Sequence, residues 1–161
     1  MQPLDDIRVL GVTVFLAGPY LSMNLARLGA EVIKVEIPER GDPVRGNGPF
    51  AGPGGIHDYR ESDQDISTRF LKRTQGVKSV TLNLKDPDGR QMFLDIAKQS
   101  DIVLENLAPG SMQRLGLGYS DVSTVNPEII YCSISGYIVD CTCFANFRYV
   151  SLEARGSLPR G

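Results

Sequence analysis

The first 36 residues confine this chain more tightly than any other stretch of it. Ile7 to Val12 (IRVLGV) is short, apolar and rich in β-branched residues, as in a strand covered on both faces. Ala17-Gly18-Pro19 punctuates it, and Pro19 suits the first turn of a helix. Leu21, Leu25 and Leu28 follow at helical spacing, Gly29 is a natural stop, and Glu31 to Glu36 (EVIKVE) reads as a second strand. Strand, helix and strand in so short a span make a βαβ unit. That commits the chain to parallel pairing through a right-handed crossover.

The alternation continues. Val77 to Leu84 (VKSVTLNL) reads as a strand with Val80, Leu82 and Leu84 on one face, together with Lys78. Asp86-Pro87 supplies a helix N-cap and first position, and Met92, Phe93, Ile96 and Ala97 form the expected buried face of that helix. Asp101 to Leu107 is a further strand, Pro109 to Leu117 starts a short helix, and Glu128 to Ile134 is a strongly apolar strand. This order predicts an α/β fold with a doubly wound, mainly parallel sheet. Residues 38 to 65, rich in Gly, Pro and acidic side chains, are expected to form a long connection without regular structure, functional or mobile. Beyond Tyr137 the pattern stops. Residues 138–161 show no helical stripe, only one strand-like run from Phe144 to Leu152, and an Arg/Gly/Ser-rich end. The expected division is an ordered part over 1–137, its sheet incomplete, and an unrelated irregular tail over 138–161.

With 161 residues, 42% apolar and 22% charged, the chain has the size and make-up of one globular domain in water. A net charge of −2 leaves no basic excess for a nucleic-acid backbone. No apolar run approaches the ~18 residues of a membrane span, and MQPLDDIRVLG lacks the layout of a signal peptide. Cys132, Cys141 and Cys143 make an odd count, which suits a reducing compartment, the cytoplasm by default. No dinucleotide fingerprint, phosphate-binding P-loop, zinc-spaced Cys/His set or nucleophile elbow is present, and His57 is the only histidine. The sequence therefore shows no metal-ligand spacing, and a histidine-based catalytic site would depend on His57 alone, in the long connection.

A set of phrases carries more. They are Leu16-Ala-Gly-Pro-Tyr20, Leu28-Gly-Ala-Glu-Val-Ile-Lys-Val-Glu36 and Lys78-Ser-Val-Thr-Leu-Asn-Leu-Lys-Asp-Pro-Asp-Gly89, then Glu105-Asn106, Pro109-Gly-Ser-Met-Gln-Arg-Leu-Gly-Leu-Gly-Tyr119 and Ile129-Ile-Tyr-Cys-Ser-Ile-Ser-Gly-Tyr137. In this order they resemble the N-terminal part of the family III CoA-transferases, over residues 3 to 137. The resemblance implies a Rossmann-like, CoA-binding part of an enzyme that forms interlocked homodimers. It also implies CoA transfer between an acyl-CoA and a small carboxylic acid through an aspartyl intermediate. CoA is then a substrate, no cofactor is bound permanently, and neither nucleic acid nor membrane is a partner. A mitochondrial or peroxisomal location becomes an option in a eukaryote.

Carried over position by position, the resemblance implies CoA contacts at Leu16, Ala17, Asn106, Leu107, Arg114, Gly136 and Tyr137. Leu16, Ala17 and Leu107 also suit plain packing, Arg114 a solvated surface, and Tyr137 the core. The chain departs from the family where a basic residue often follows the second strand, here Ile37, and where Asn-Arg-x-Lys precedes the strand at Val77, here Thr74-Gln75-Gly76-Val77. Arg40, Lys72 and Arg73 are possible substitutes. The family's catalytic aspartate lies roughly 30 residues past the Gly-Tyr phrase, where this chain has already changed character, and no catalytic residue is assigned. The expected function is that of a truncated CoA-transferase, itself inactive. The alternatives are an acyl-CoA racemase relative, a non-catalytic CoA-binding module, or a misassembled fragment with an open apolar edge at residues 129–134.

Overall fold

The computed structural model describes residues 2–135 and the backbone of residues 149–153. Six strands form one parallel sheet: β1 (Arg8–Val12), β2 (Glu31–Glu36), β6 (Val77–Thr81), β7 (Ile102–Glu105), β8 (Ile130–Ser135) and β9 (Tyr149–Glu153), in the order β6-β2-β1-β7-β8-β9. The chain starts at the centre, builds outward on one side, then crosses back over β1 to build the other. This reversal puts a crevice at the carboxyl ends of β1 and β7. β9 overlaps the strand-like run of the tail and pairs with β8, so β8 is not the open edge expected for it.

Alternating side chains of the sheet divide between two cores. Val9, Val32, Leu104 and Cys132 pack with Leu21, Leu25 and Ala26 of helix α1 (Ala17–Arg27). Leu10, Val35, Val103 and Tyr131 pack on the other face with Phe93 and Ala97 of α3 (Pro87–Ala97), Met112 of α4 (Ser111–Arg114) and Val122 of α5 (Tyr119–Val125). Helices on both faces make the sheet doubly wound, as the alternation predicts.

The helix faces are shifted slightly from those the spacing predicts. Leu28 falls at the C-cap of α1 and is 47% exposed, because Gly29, with φ +107°, turns the chain away. On α3 the inward stripe is Gly89, Phe93 and Ala97, which leaves Met92 55% exposed, one residue and about 100° off that stripe. Gly89 is required there, since a Cβ would stand 2.2 Å from the Asn83 carbonyl oxygen. Asp86 caps α3 as expected, accepting from the Asp88 amide at 2.9 Å. Helix α5 has no forerunner in the sequence reading. It is short, and Asp121 starts it by accepting from the Gly118 amide at 2.9 Å.

Residues 38–65 are the larger correction. The connection is structured: a 3-10 turn (Pro43–Gly46) leads into a small antiparallel sheet of β3 (Phe50–Gly52), β4 (Gly55–His57) and β5 (Ile66–Ser67), followed by α2 (Thr68–Arg73). Its glycines supply a tight β3–β4 turn, with Gly55 at φ +110°. Buried Asp65 accepts from the amides of Glu61 and Ser62 at 2.8 and 2.9 Å, replacing the hydrogen bonds a longer strand would have made. No helix among the described residues is long and apolar enough to cross a membrane.

Replacing Phe93, fully buried, by Ala is expected to cost about 3–5 kcal/mol in urea unfolding, and Met92→Ala within about 0.5 kcal/mol. Equal losses would contradict the assigned face of α3.

Candidate functional site

In the turn between β1 and α1, Thr13 to Leu16, side chains hold both backbone groups of Val14 and of Phe15 and the Thr13 carbonyl. Asn106, just past β7, takes the Val14 amide on its Oδ1 at 2.8 Å and donates from Nδ2 to the Val14 carbonyl at 2.9 Å. Asp42 Oδ1 accepts from the Phe15 amide at 3.1 Å, and Arg73 Nη1 donates to the Phe15 carbonyl at 2.8 Å. Lys34 Nζ donates to the Thr13 carbonyl. Phe15 adopts φ +61°, rare for a non-glycine residue, and these bonds keep it there. Gly18 completes the arrangement. A Cβ there would sit 2.7 Å from Thr13 and 2.8 Å from Asn106 Oδ1, so only glycine lets α1 start so close to the turn.

Two acidic residues tie this turn to the segment after β2. Lys34 and Asp42 form an ion pair at 2.8 Å with side chains only 2% and 1% exposed. Buried charges persist when their remaining hydrogen bonds are met. Asp42 meets that condition by also accepting from the Val44 amide at 2.9 Å. Glu36 accepts from Arg45 Nε and Nη2 at 2.8 and 2.9 Å, Ser79 Oγ at 2.8 Å and the Asp42 amide at 2.7 Å. Burial alone would raise its pKa. The Arg45, Ser79 and Asp42 hydrogen bonds outweigh that effect and lower it to about 2. Arg45 also stacks 3.6 Å from the centre of the Phe70 ring, joining the segment to α2.

Beside the turn lies a cavity of about 550 Å³, a size typical of small-ligand sites. Its wall includes Thr13 and Val14 of the turn, Ile37 and Arg40 after β2, Lys85 before α3, and Leu107 and Leu115. Of the residues expected to contact CoA, Leu107 is on this wall. Asn106 stands behind it, bound to Val14. Leu16 and Ala17 are exposed at the start of α1, outside the lining. Arg114 is exposed on α4 and donates from Nη2 to Ser111 Oγ at 2.9 Å, also outside the lining. Gly136 and Tyr137 lie outside the described residues. The sequence reading missed Lys34, Asp42 and Lys85. A lysine inside an apolar strand and an Asp42-Pro43 pair like the Asp86-Pro87 cap were the available signals.

Next to Asn106, Glu105 accepts from Ser133 Oγ and, at 2.8 Å, from the Leu107 amide. Burial raises its pKa against both hydrogen bonds, and burial together with the Glu105 charge raises that of Cys132. Among the described residues no cluster could hold a metal ion.

Comparison with known proteins gives this arrangement its class. The family model for CoA-transferase family III matches residues 4–140, and the chain belongs to that family. Its relatives are CoA-transferases. It is 43% identical to the succinyl-CoA:glutarate CoA-transferase of Mus musculus over 85% of this chain and 29% of that protein. It is 40% identical to the succinyl-CoA:mesaconate CoA-transferase of Haloarcula marismortui over 85% of this chain and 33% of that protein. Among solved structures, a CaiB/BaiF family protein from Brucella suis superposes with a TM-score of 0.74 at 35% identity, over 84% of this chain and 34% of that one. The chain thus spans about a third of the length of the relatives it matches.

Glu36 makes stability depend on pH. Its pKa is lowered on folding, so its contribution is full above the ordinary carboxylate value of 4.5 and is lost as pH falls towards 2. Urea unfolding between pH 5 and 2 is expected to show a loss of about 3 kcal/mol from this group, removed in Glu36→Gln. For the buried pair, Lys34→Met is expected to cost about 3–5 kcal/mol, with Lys34→Met/Asp42→Asn costing less than the sum of its parts. Additive losses would show that the two side chains act independently.

Proposed function

We propose that this chain binds coenzyme A and acyl-CoA as the N-terminal, CoA-binding part of a CoA-transferase. The parent reaction is the exchange of CoA between an acyl-CoA and a small carboxylic acid. One observation carries the reading. The family match runs over residues 4–140, and within them the cavity opens at the carboxyl ends of the strands, where ligands of such sheets gather.

In this reading the β1–α1 turn and Leu107 receive the ligand, while Asn106, Lys34 and Asp42 fix the turn's shape before it arrives. A turn already held in its bound shape loses little entropy on binding. The covalent step of the reaction that the resemblance implies is attack by an aspartate carboxylate on the thioester carbonyl. A mixed anhydride forms and the CoA thiolate leaves. The resemblance places that aspartate beyond residue 137, so in this reading residues 4–135 bind and position the ligand and perform no transfer by themselves.

Isothermal titration of the purified chain with CoA is expected to show saturable binding. Incubation with succinyl-CoA and glutarate is expected to give no acyl exchange above buffer. Exchange by the chain alone would overturn the assignment of binding without turnover, and absence of CoA binding would overturn the reading as a whole.

A further inference from the structure

The buried carboxylates around the cavity are held in two different ways. Asp42 pairs with Lys34 and Glu36 with Arg45, so each keeps a cation beside its charge. Glu105 has no such partner among the described residues. It ends β7, in register with Val12 of β1 and Ser133 of β8, and two neutral donors reach its carboxyl group. The Leu107 amide donates to Oε2 at 2.8 Å, and the Ser133 hydroxyl donates to Oε1. Leu107 is on the cavity wall, so this carboxyl group stands directly behind it.

This pair of donors suits both protonation states. A proton on Oε1 turns that oxygen into a donor, and Ser133 Oγ has lone pairs to accept from it, while Oε2 still accepts from the Leu107 amide. The proton comes and goes without moving the wall. Burial favours the neutral form and raises the pKa against both hydrogen bonds. The neighbouring groups leave the proton to Glu105. Val12 on β1 is apolar. On β8, burial and the Glu105 charge push the Cys132 thiol up, and Tyr131 donates its hydroxyl to the Leu117 carbonyl. Arg114 of α4 is engaged with Ser111 Oγ, and Asp121 of α5 with the Gly118 amide.

CoA carries several phosphate charges, and an unpaired carboxylate behind the wall opposes an anion in the cavity. We propose that Glu105 is a positioning residue that takes up a proton when CoA enters, holding Leu107 through its amide in both states while withdrawing its own charge from the ligand. The inference rests on the reading of the chain as CoA-binding. Because CoA favours the protonated form, Glu105 has a higher pKa in the complex than in the free chain. Affinity is therefore greatest below the pKa of the free chain, falls as pH rises through it, and levels off above the pKa of the complex.

The test is calorimetric titration of the full chain, of Glu105→Gln and of Ser133→Ala with CoA between about pH 5 and 8, in buffers of different ionisation enthalpy, which counts the protons taken up. The phosphate monoester of CoA titrates in the same range, with a pKa of about 6, and contributes to every chain, so the difference from Glu105→Gln isolates the carboxyl group. Gln keeps both hydrogen bonds, its carbonyl accepting from the Leu107 amide and its NH2 donating to Ser133 Oγ, and a cooperative thermal melt verifies that the variant folds. The unmodified chain is expected to take up more protons than Glu105→Gln and to lose about 10-fold more affinity across the range. Ser133→Ala removes a hydrogen bond that favours the ionised form, and is expected to move that loss to higher pH. A purely structural role predicts equal proton uptake in the unmodified chain and Glu105→Gln; that result would overturn the proposal and leave the CoA reading standing. A chain that binds no CoA at any pH would overturn both.

Discussion

The buried pair of Lys34 and Asp42 is the constraint on which the binding face depends. Lys34 sits on β2, an interior strand, where an unpaired ammonium would be too costly to keep. Its partner comes from the segment after the strand, so folding of the sheet pulls residue 42 back across the carboxyl end of β2. Asp42 then reaches the Phe15 amide, and Lys34 the Thr13 carbonyl. One ion pair thus joins β2, the connection and the β1–α1 turn. Asn106 adds β7 from the other side.

The rest of the architecture supports this face. Two cores, one on each side of the sheet, hold the strands in register, and the small β3-β4-β5 sheet with α2 braces the connection from outside. Arg45 links the two parts by pairing with Glu36 and stacking on Phe70. Charges that serve the fold are consumed inside it. Arg40 and Lys85, on the cavity wall, take no part in that network.

The sheet was legible in the sequence because its strands are short apolar runs and its helices carry caps and stripes. β1, α1, β2 and α3 fall close to where Ile7–Val12, Leu21–Leu25, Glu31–Glu36 and Asp86-Pro87 place them. The connection was not legible, since its order comes from single side chains: Asp65 taking two amides, Asp42 taking two more, Arg45 over Phe70. No periodicity reports such contacts. The site was legible in part. Phrase resemblance led to Asn106 and Leu107, but Asn106 grips the protein's own backbone, a role that spacing does not reveal. Lys85 belonged to a phrase already quoted, and only the fold shows that it faces the same cavity as Arg40.

We propose that this face, shaped by the Lys34–Asp42 pair and Asn106, receives CoA. Backbone amide shifts of the isotope-labelled chain, followed by NMR during titration with CoA, test it most directly. Shifts concentrated at Val14 to Ala17, Ile37 to Gly41, Lys85 and Leu107 are the predicted result. Shifts confined to the amino ends of the strands, around Arg8, Glu31 and Lys78, would contradict it.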